Sequence, residues 1–282
     1  MYADDCQIYL SFSNNTDQAE ELFNQCLIQI KNWMDSNFLK LNTDKTKLKM
    51  FNPRSESVQI CINFNNSLIV PSETVDILGV KLSQNINYSS FISKKVQAIY
   101  FHLRNLNHIR DSLPHSARVL LVTNLVLSKL DYCNSLLICA TGKDLRPLRI
   151  MLNRAVRFIF DIRRREHITP YLKKLHILPI LFRIKFKVCL LAFKILNDKA
   201  PVYLKEKFVT FYPTTTIDLR DGCGRDNFMF KHLKDTKDKT RDTVFDKLIE
   251  EWNLLPLNIR KVKSVNVFKT RLKTFYFKKA FE

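Results

Sequence analysis

The 282 residues predict an α+β fold, mostly helical, and two observations carry that expectation. Apolar residues alternate only in short segments before residue 83, and from Asn87 onward they recur at helical period. Four glycines and nine prolines in the whole chain leave long stretches in which a helix can propagate. With 46% hydrophobic residues the chain can bury a real core, which argues against disorder as its overall state.

Tyr2-Ala3-Asp4-Asp5 reads as a turn carrying two adjacent carboxylates, and the alternating run from Gln7 to Phe12 as a strand leaving it. Asn14-Asn15-Thr16-Asp17 supplies a turn and an N-cap for a helix with Glu20 and Glu21 in its first turns. Leu22, Cys26, Ile30 and Trp33, joined by Phe23, Leu27 and Met34, form its apolar stripe, expected to pack beneath the sheet. Phe38 to Lys49 then returns to the sheet. Two strands follow, Val58 to Phe64 and Thr74 to Leu82, separated by the hairpin signal Asn65-Asn66-Ser67 and by Pro71. Gly79 inside the second strand marks a bulge, tight packing or a close backbone approach.

The rest reads as helix. Ile92, Val96, Ile99, Leu103 and Leu106 give one apolar face, with Lys94, Lys95, His102 and Arg104 largely elsewhere. Ala117 to Leu130 is apolar almost all round, so it is expected to be buried. Asp144 to Phe160 turns Leu145, Leu148, Leu152, Ala155 and Ile159 inward and sets Arg146, Arg149, Arg154 and Arg157 around them; with Arg163-Arg164-Arg165 these make a candidate secondary RNA-binding surface. A helix from Pro179 to Asn197, a short one opened by Pro201, a polar loop over 212–241 and two closing helices, 242–260 and 264–280, complete the chain. The last pairs Val267, Phe268, Leu272 and Phe275 with Lys269, Arg271, Lys273, Lys278 and Lys279, which suits either RNA binding or docking through Phe268 and Leu272.

Charge divides the chain. The net charge is +19; residues 1–80 carry 6 Lys or Arg against 10 Asp or Glu, whereas 81–282 carry 40 against 17. An excess of that size calls for a polyanionic partner, nucleic acid first, with salt-sensitive binding. No apolar run approaches the ~20 residues that span a bilayer, and Pro179 to Leu196 is interrupted by Arg183, Lys185, Lys187 and Lys194, so a membrane partner is not expected. Seven cysteines without a Cys-x-x-Cys pair argue against a disulfide framework or a zinc site, and no secretory leader is visible; an intracellular location is expected.

Tyr2-Ala3-Asp4-Asp5, Trp33-Met34, Leu39-Lys40-Leu41-Asn42-Thr43-Asp44-Lys45-Thr46 and Ile77-Leu78-Gly79-Val80, in this order and spacing, resemble the palm of reverse transcriptases from jockey-like non-LTR (LINE) retrotransposons. Asp131-Tyr132-Cys133-Asn134-Ser135-Leu136-Leu137, Asn153-Arg154-Ala155, Leu175-His176-Ile177-Leu178-Pro179, Ala200-Pro201-Val202-Tyr203-Leu204, Trp252-Asn253-Leu254-Leu255-Pro256 and Phe268-Lys269 with Leu272-Lys273 resemble landmarks of the same polymerases' carboxy-terminal part. The resemblance implies a remnant palm sheet over 1–86, a helical thumb and connection over 87–211, a linker over 212–241 and a helical pair over 242–282. It implies Asp4 and Asp5 as Mg²⁺ ligands for two-metal nucleotidyl transfer. It also implies Lys45 as proton donor to the departing pyrophosphate, and contacts to RNA template and DNA primer from Tyr2, Gly79, Lys94 and Arg104. Deoxynucleotides would be substrates, the setting would be nucleus or cytoplasmic ribonucleoprotein, and no protein partner is evident.

In that family a third aspartate stands on a strand well before the Tyr-x-Asp-Asp hairpin, and the fingers precede it. Neither occurs in these residues, so the chain alone is expected to be inactive. Two alternatives stand beside the polymerase reading: a non-catalytic, basic nucleic-acid-binding remnant, and a helical protein-interaction module.

Overall fold

Contacts divide the computed structural model into a first unit, 1–91, and a second, 92–282; the residues described are 6–12, 16–40, 42–51, 60–64, 67–83, 88–206, 208–210, 230–231 and 243–282.

In the first unit a helix, α1 (Thr16–Ser36), packs against a hairpin of β1 (Ile62–Phe64) and β2 (Ser67–Ile69). The register pairs Ile62 with Ile69 and Phe64 with Ser67, so the hairpin signal is followed at once by its partner strand, a short one over Ser67–Ile69 that the sequence reading did not assign. Ala19, Leu27, Ile60 and Ile62 form the buried centre, and Leu10, Phe23, Leu48, Met50 and Ile69 pack around it. Glu20 ties helix to hairpin by accepting the Cys61 backbone N–H at 2.9 Å. The segment before the hairpins does return to them: Leu48 pairs with Pro71, the Ser72 N–H donates to the Leu48 carbonyl at 2.9 Å, and the Lys49 ammonium donates to the Ser72 carbonyl at 2.9 Å.

Three local expectations are corrected here. Residues 6–12 form no strand; an alternating segment becomes a strand only where a sheet edge accepts it, and none of the described strands pairs with it. The stripe on α1 is rotated: Ala19, Phe23 and Leu27 face the hairpin, whereas Leu22, Cys26 and Trp33 are exposed, because the narrow hairpin covers only one seam of the helix. Thr74 to Leu82 is not one strand but a second hairpin, β3 (Thr74–Ile77) and β4 (Val80–Ser83). Its two-residue turn is Leu78-Gly79, with φ of 48° and 77°, the type I′ geometry that matches strand twist.

The second unit is built of helices. α2 (Ser89–His108) buries Ile92, Ile99, Leu103 and Leu106, as its periodicity predicts. α3 (His115–Val122) runs through a π-helical turn, Thr123–Leu127, into α4 (Ser128–Asp131). This stretch is buried on one face only, through Val122, Val126, Leu127 and Leu130, while Leu120 is exposed; a nearly all-apolar pattern could not tell which side a neighbour would cover. α5 (Gly142–Phe160) starts two residues earlier than expected, where Thr141 and Asp144 close a capping box. Its expected inward residues, Leu145, Leu148, Leu152, Ala155 and Ile159, are all buried.

After α6 (Thr169–Lys174) comes α7 (Ile180–Leu196), which contacts α5, the 3₁₀ segment Asn134–Cys139, and two later helices, α9 (Val244–Asn253) and α11 (Val265–Phe281). The bases that interrupt its apolar run are held by acids from other elements. Arg183 pairs with Asp131, Lys187 lies 4.0 Å from the same carboxylate, and Lys185 pairs with Glu251. Next to that last pair, the buried Cys189 thiol and Tyr276 hydroxyl lie 3.1 Å apart, and Tyr276 donates to Glu251 at 3.5 Å. Burial pushes the Cys189 thiol up to about 12 and raises the Tyr276 hydroxyl as well.

A short helix, α8 (Val202–Lys205), leads to a two-residue pairing of β5 (Val209–Thr210) with β6 (Phe230–Lys231). Most of 212–241 lies outside the described residues, but Phe230 within it is core, not linker. Its ring sits 4.8 Å from that of Phe208 and 6.0 Å from that of Trp252. The Asn253 side chain both accepts from the Phe230 N–H at 3.0 Å and donates to its carbonyl at 2.9 Å. The aromatic series continues through Trp252 to Phe268, which stacks on Phe193 at 4.2 Å. The expected helix over 242–260 breaks at Pro256 into α9 and a one-turn α10 (Leu257–Arg260). Phe268 and Leu272 of α11 are fully buried, so this helix docks through them and turns Lys269, Arg271, Lys273, Lys278 and Lys279 to solvent.

Candidate nucleic-acid interface

Lys94 and Arg104 are exposed on α2. Ten positions at 100° each leave them about 80° apart around the axis, on the side opposite the buried Ile99 and Leu103. Two large aromatic residues that α2 leaves open stand nearby, Phe101 (60% exposed) between Lys94 and Arg104 and Tyr100 (50% exposed) just beyond Arg104 around the axis. The Arg154 guanidinium of α5 sits 5.6 Å from the Tyr100 ring centroid, so α2 and α5 bring a ring and a cation together there. An exposed ring offers a stacking face to a nucleobase, and arginines beside it reach phosphate oxygens.

α5 adds exposed Arg146 and Arg149, and the loop beyond it adds Arg163, Arg164 and Arg165. That loop is held by its own backbone. Arg157 donates from one terminal nitrogen to the carbonyls of Arg164 and Glu166 at 3.1 and 3.2 Å; Glu166 accepts the Arg163 N–H at 3.1 Å and the Tyr171 hydroxyl at 3.1 Å. Arg110, just past α2, pairs with Asp161 at the end of α5 at 2.5 Å. Arg157 and Arg110 are thus structural, while Arg163, Arg164 and Arg165 turn to solvent.

Lys95 departs from the sequence reading. It is 93% buried and donates to the Leu130 carbonyl at 3.3 Å and to the Tyr132 carbonyl, closing the end of α4. Burial lowers its pKa to about 8, against the opposing pull of Cys133 and Asp131. His102 is also lowered, by burial first and by the charge of Lys129 second.

Of the residues singled out in sequence, Tyr2, Asp4 and Asp5 lie outside the described residues. Lys45 and Gly79 belong to the first unit, and Lys94 and Arg104 to the second. Lys45 ends a single 3₁₀ turn, Thr43–Lys45, in which its backbone N–H donates to the Asn42 side chain at 3.1 Å, and its ammonium faces solvent. Gly79 is explained locally by its hairpin turn. Among the described residues, no three His, Cys, Asp or Glu side chains converge on a point that could hold a metal ion. Nor is any helix among them long and apolar enough to cross a membrane.

Sequence reasoning missed Tyr100, Phe101 and the Arg154 contact. The signal was present in part: Tyr100 and Arg104 are one helical turn apart, off the apolar face, and exposed aromatics there are informative. Protein-family models, curated proteins and solved structures offer no match to this chain.

Proposed function

We propose that the chain is the carboxy-terminal part of an RNA-directed DNA polymerase of the jockey-like non-LTR retrotransposon class, and that its helical unit binds RNA template and DNA primer. The ordered motif series from Tyr2-Ala3-Asp4-Asp5 to Leu272-Lys273 carries this reading. Two observations support it. Residues quoted from the later motifs stand at joints of the second unit: Asp131 on Arg183, Asn253 on Phe230, Phe268 on Phe193. The unit also exposes the ring-and-arginine surface of α2 and α5.

In the reaction, the primer 3′ hydroxyl attacks the α-phosphate of a deoxynucleotide and pyrophosphate departs. Mg²⁺, when bound, stabilises charge on the attacking and departing oxygens. Asp4 and Asp5 offer hard oxygen donors that suit it, yet two adjacent carboxylates are too few for a pair of ions, so the chain alone is expected not to polymerise. Lys45 would give a proton to pyrophosphate, and Lys94 and Arg104 would position the duplex through its phosphates. The setting proposed is the nucleus or a cytoplasmic ribonucleoprotein.

The test is the transcript upstream of Met1. An open frame that supplies an aspartate on a hydrophobic strand and a basic fingers region is the expected result. Stop codons closing that frame would reduce the polymerase reading to ancestry. Primer extension on an RNA template is expected to give no product with this chain alone, and product that Asp4→Ala abolishes would overturn that expectation.

A second reading, a non-catalytic nucleic-acid-binding protein, is favoured by the concentration of base after residue 80. It requires oligonucleotide affinity that falls steeply with salt and does not depend on Mg²⁺. Salt-insensitive association with a protein would instead favour a helical interaction module.

A further inference from the structure

α2 exposes two large rings in succession, Tyr100 and Phe101, on the side away from its buried Ile92, Ile99, Leu103 and Leu106. The two rings are not equivalent. Tyr100 is faced by the Arg154 guanidinium of α5 at 5.6 Å. Among the described residues the ring neighbour of Phe101 is His102, at 5.7 Å and 74° between planes, and 60% of Phe101 stays open to water.

The surroundings of Phe101 decide what can cover it. Lys94 stands seven positions before it, about 20° away around the axis and about 10 Å along it; Arg104 stands three positions after, about 60° and about 4.5 Å away. Gln97 and Asn105, exposed amides four positions before and after Phe101, lie on the same face. α2 holds no Asp or Glu in its 20 residues. Cations and amides are the groups that hold phosphate oxygens and the polar edges of bases. The complement of this face is therefore an anionic partner with flat apolar surfaces, which is what bases on a phosphate chain supply. A paired base does not offer such a surface. In a duplex both of its faces are covered by neighbouring pairs, and a side chain reaches them only by prising a step apart.

We propose that the Phe101 face of α2 is a stacking platform for an unpaired nucleobase, so that the ligand of this helix is a single-stranded segment of nucleic acid, including one that runs out of a duplex. Lys94 and Arg104 hold phosphates on either side of the stacked base, Gln97 and Asn105 bond its edge, and the Tyr100–Arg154 pair offers a second flat surface to the next base. Stacking needs no particular base, so the platform tolerates sequence. The inference rests on the nucleic-acid reading above and narrows it from phosphate backbone to unpaired base.

The test measures the affinity of the full chain for a 12-nucleotide RNA strand and for the blunt duplex of the same sequence, by fluorescence anisotropy across a salt series. Phe101→Leu, at an exposed position, keeps an apolar side chain and removes the ring. It should weaken single-strand binding roughly tenfold, the loss of one base stack, and leave duplex binding unchanged. Phe101→Tyr should restore the parent affinity. Tyr203→Ala, which removes a ring of similar exposure (64%) on α8, should change neither. The DNA strand of the same sequence identifies the source: equal ring dependence makes the ligand any unpaired strand, and ring dependence with one strand alone names that strand. No loss in Phe101→Leu, an equal loss on strand and duplex, or the same loss in Tyr203→Ala would overturn the platform while leaving salt-sensitive binding, and with it the nucleic-acid reading, in place. Absence of salt-sensitive binding to either ligand would remove both.

Discussion

Arg183 grips Asp131 through two parallel hydrogen bonds, Nε to Oδ1 at 2.9 Å and Nη2 to Oδ2 at 2.7 Å. The pair joins the end of α4 to the first turns of α7, and Asn134 adds a third bond to the same carboxylate at 3.3 Å. Its side chains are 15% and 26% exposed, between the surface pairs that contribute almost nothing and the buried pairs whose disruption costs most. Asp131→Ala should therefore destabilise the second unit by about 2 kcal/mol, and Arg183→Lys, which keeps the charge and loses the fork, by about 1 kcal/mol. Urea unfolding followed by far-ultraviolet circular dichroism measures both. Equal stability of Arg183→Lys and the parent chain would show that the fork geometry contributes nothing.

Lys95 gives the fold a pH signature. Its folded-state pKa is lowered from the ordinary 10.5 to about 8, so between those values the unfolded chain holds a proton that the folded chain has released. Stability contributed by this group must then rise as pH goes from about 8 to 10.5 and stay level below 8. Many other groups titrate at high pH, so the measurement is the difference between the parent chain and Lys95→Met. That difference should shift in favour of the parent chain across the window. A difference flat from pH 7 to 10.5 would mean that Lys95 reaches water.

Leu78 occupies the left-handed region, φ 48°, where a side chain is disfavoured by roughly 1–2 kcal/mol and asparagine is tolerated best. Leu78→Asn should slow amide hydrogen exchange across Thr74–Ile77 and Val80–Ser83 severalfold, and Gly79→Ala should speed it by a similar factor. Protection that rises in Gly79→Ala would rule out the positive φ at that residue.

The two tryptophans report on the two units separately. Trp252 is fully buried and Trp33 is 59% exposed. Trp33→Phe should leave a blue-shifted emission that iodide does not quench, and Trp252→Phe a red-shifted, quenchable one. Trp252→Ala, which empties the centre of the aromatic series, should cost about 3–5 kcal/mol in the second unit. Emission from Trp252 that iodide quenches freely would contradict its packing between Phe230 and Phe268.

The legible parts of the fold are those that a helix decides within its own length. The periodicity of α2 and α5 is written at i, i+3 and i+4, so burial of Ile99 and Leu152 follows from local pattern, whereas the start of α5 at its Thr141-to-Asp144 cap was placed two residues late. The docking of α11 through Phe268 and Leu272 was legible for the same reason. The arginine positions of the candidate interface were visible as well, since Arg146, Arg149 and Arg154 fall outside the apolar face of α5.

Tertiary structure alone decided whatever needs a partner distant in sequence. Trp33 looked like core and is exposed because the hairpin reaches only the Ala19–Leu27 seam, while Phe230 looked like linker and is buried because Phe208, Trp252 and Asn253 meet it from elsewhere. Lys95 was indistinguishable from Lys94 in sequence; Lys95 is buried against the carbonyls of Leu130 and Tyr132, whereas Lys94 is exposed. The ring-and-arginine surface likewise arises only where α2 and α5 bring Tyr100 and Arg154 together. The sequence by itself determined the period of each helix and the sign of the charge, because both are properties of neighbouring residues. The fold decided which faces and which cations are buried, because burial is a property of whatever lies opposite.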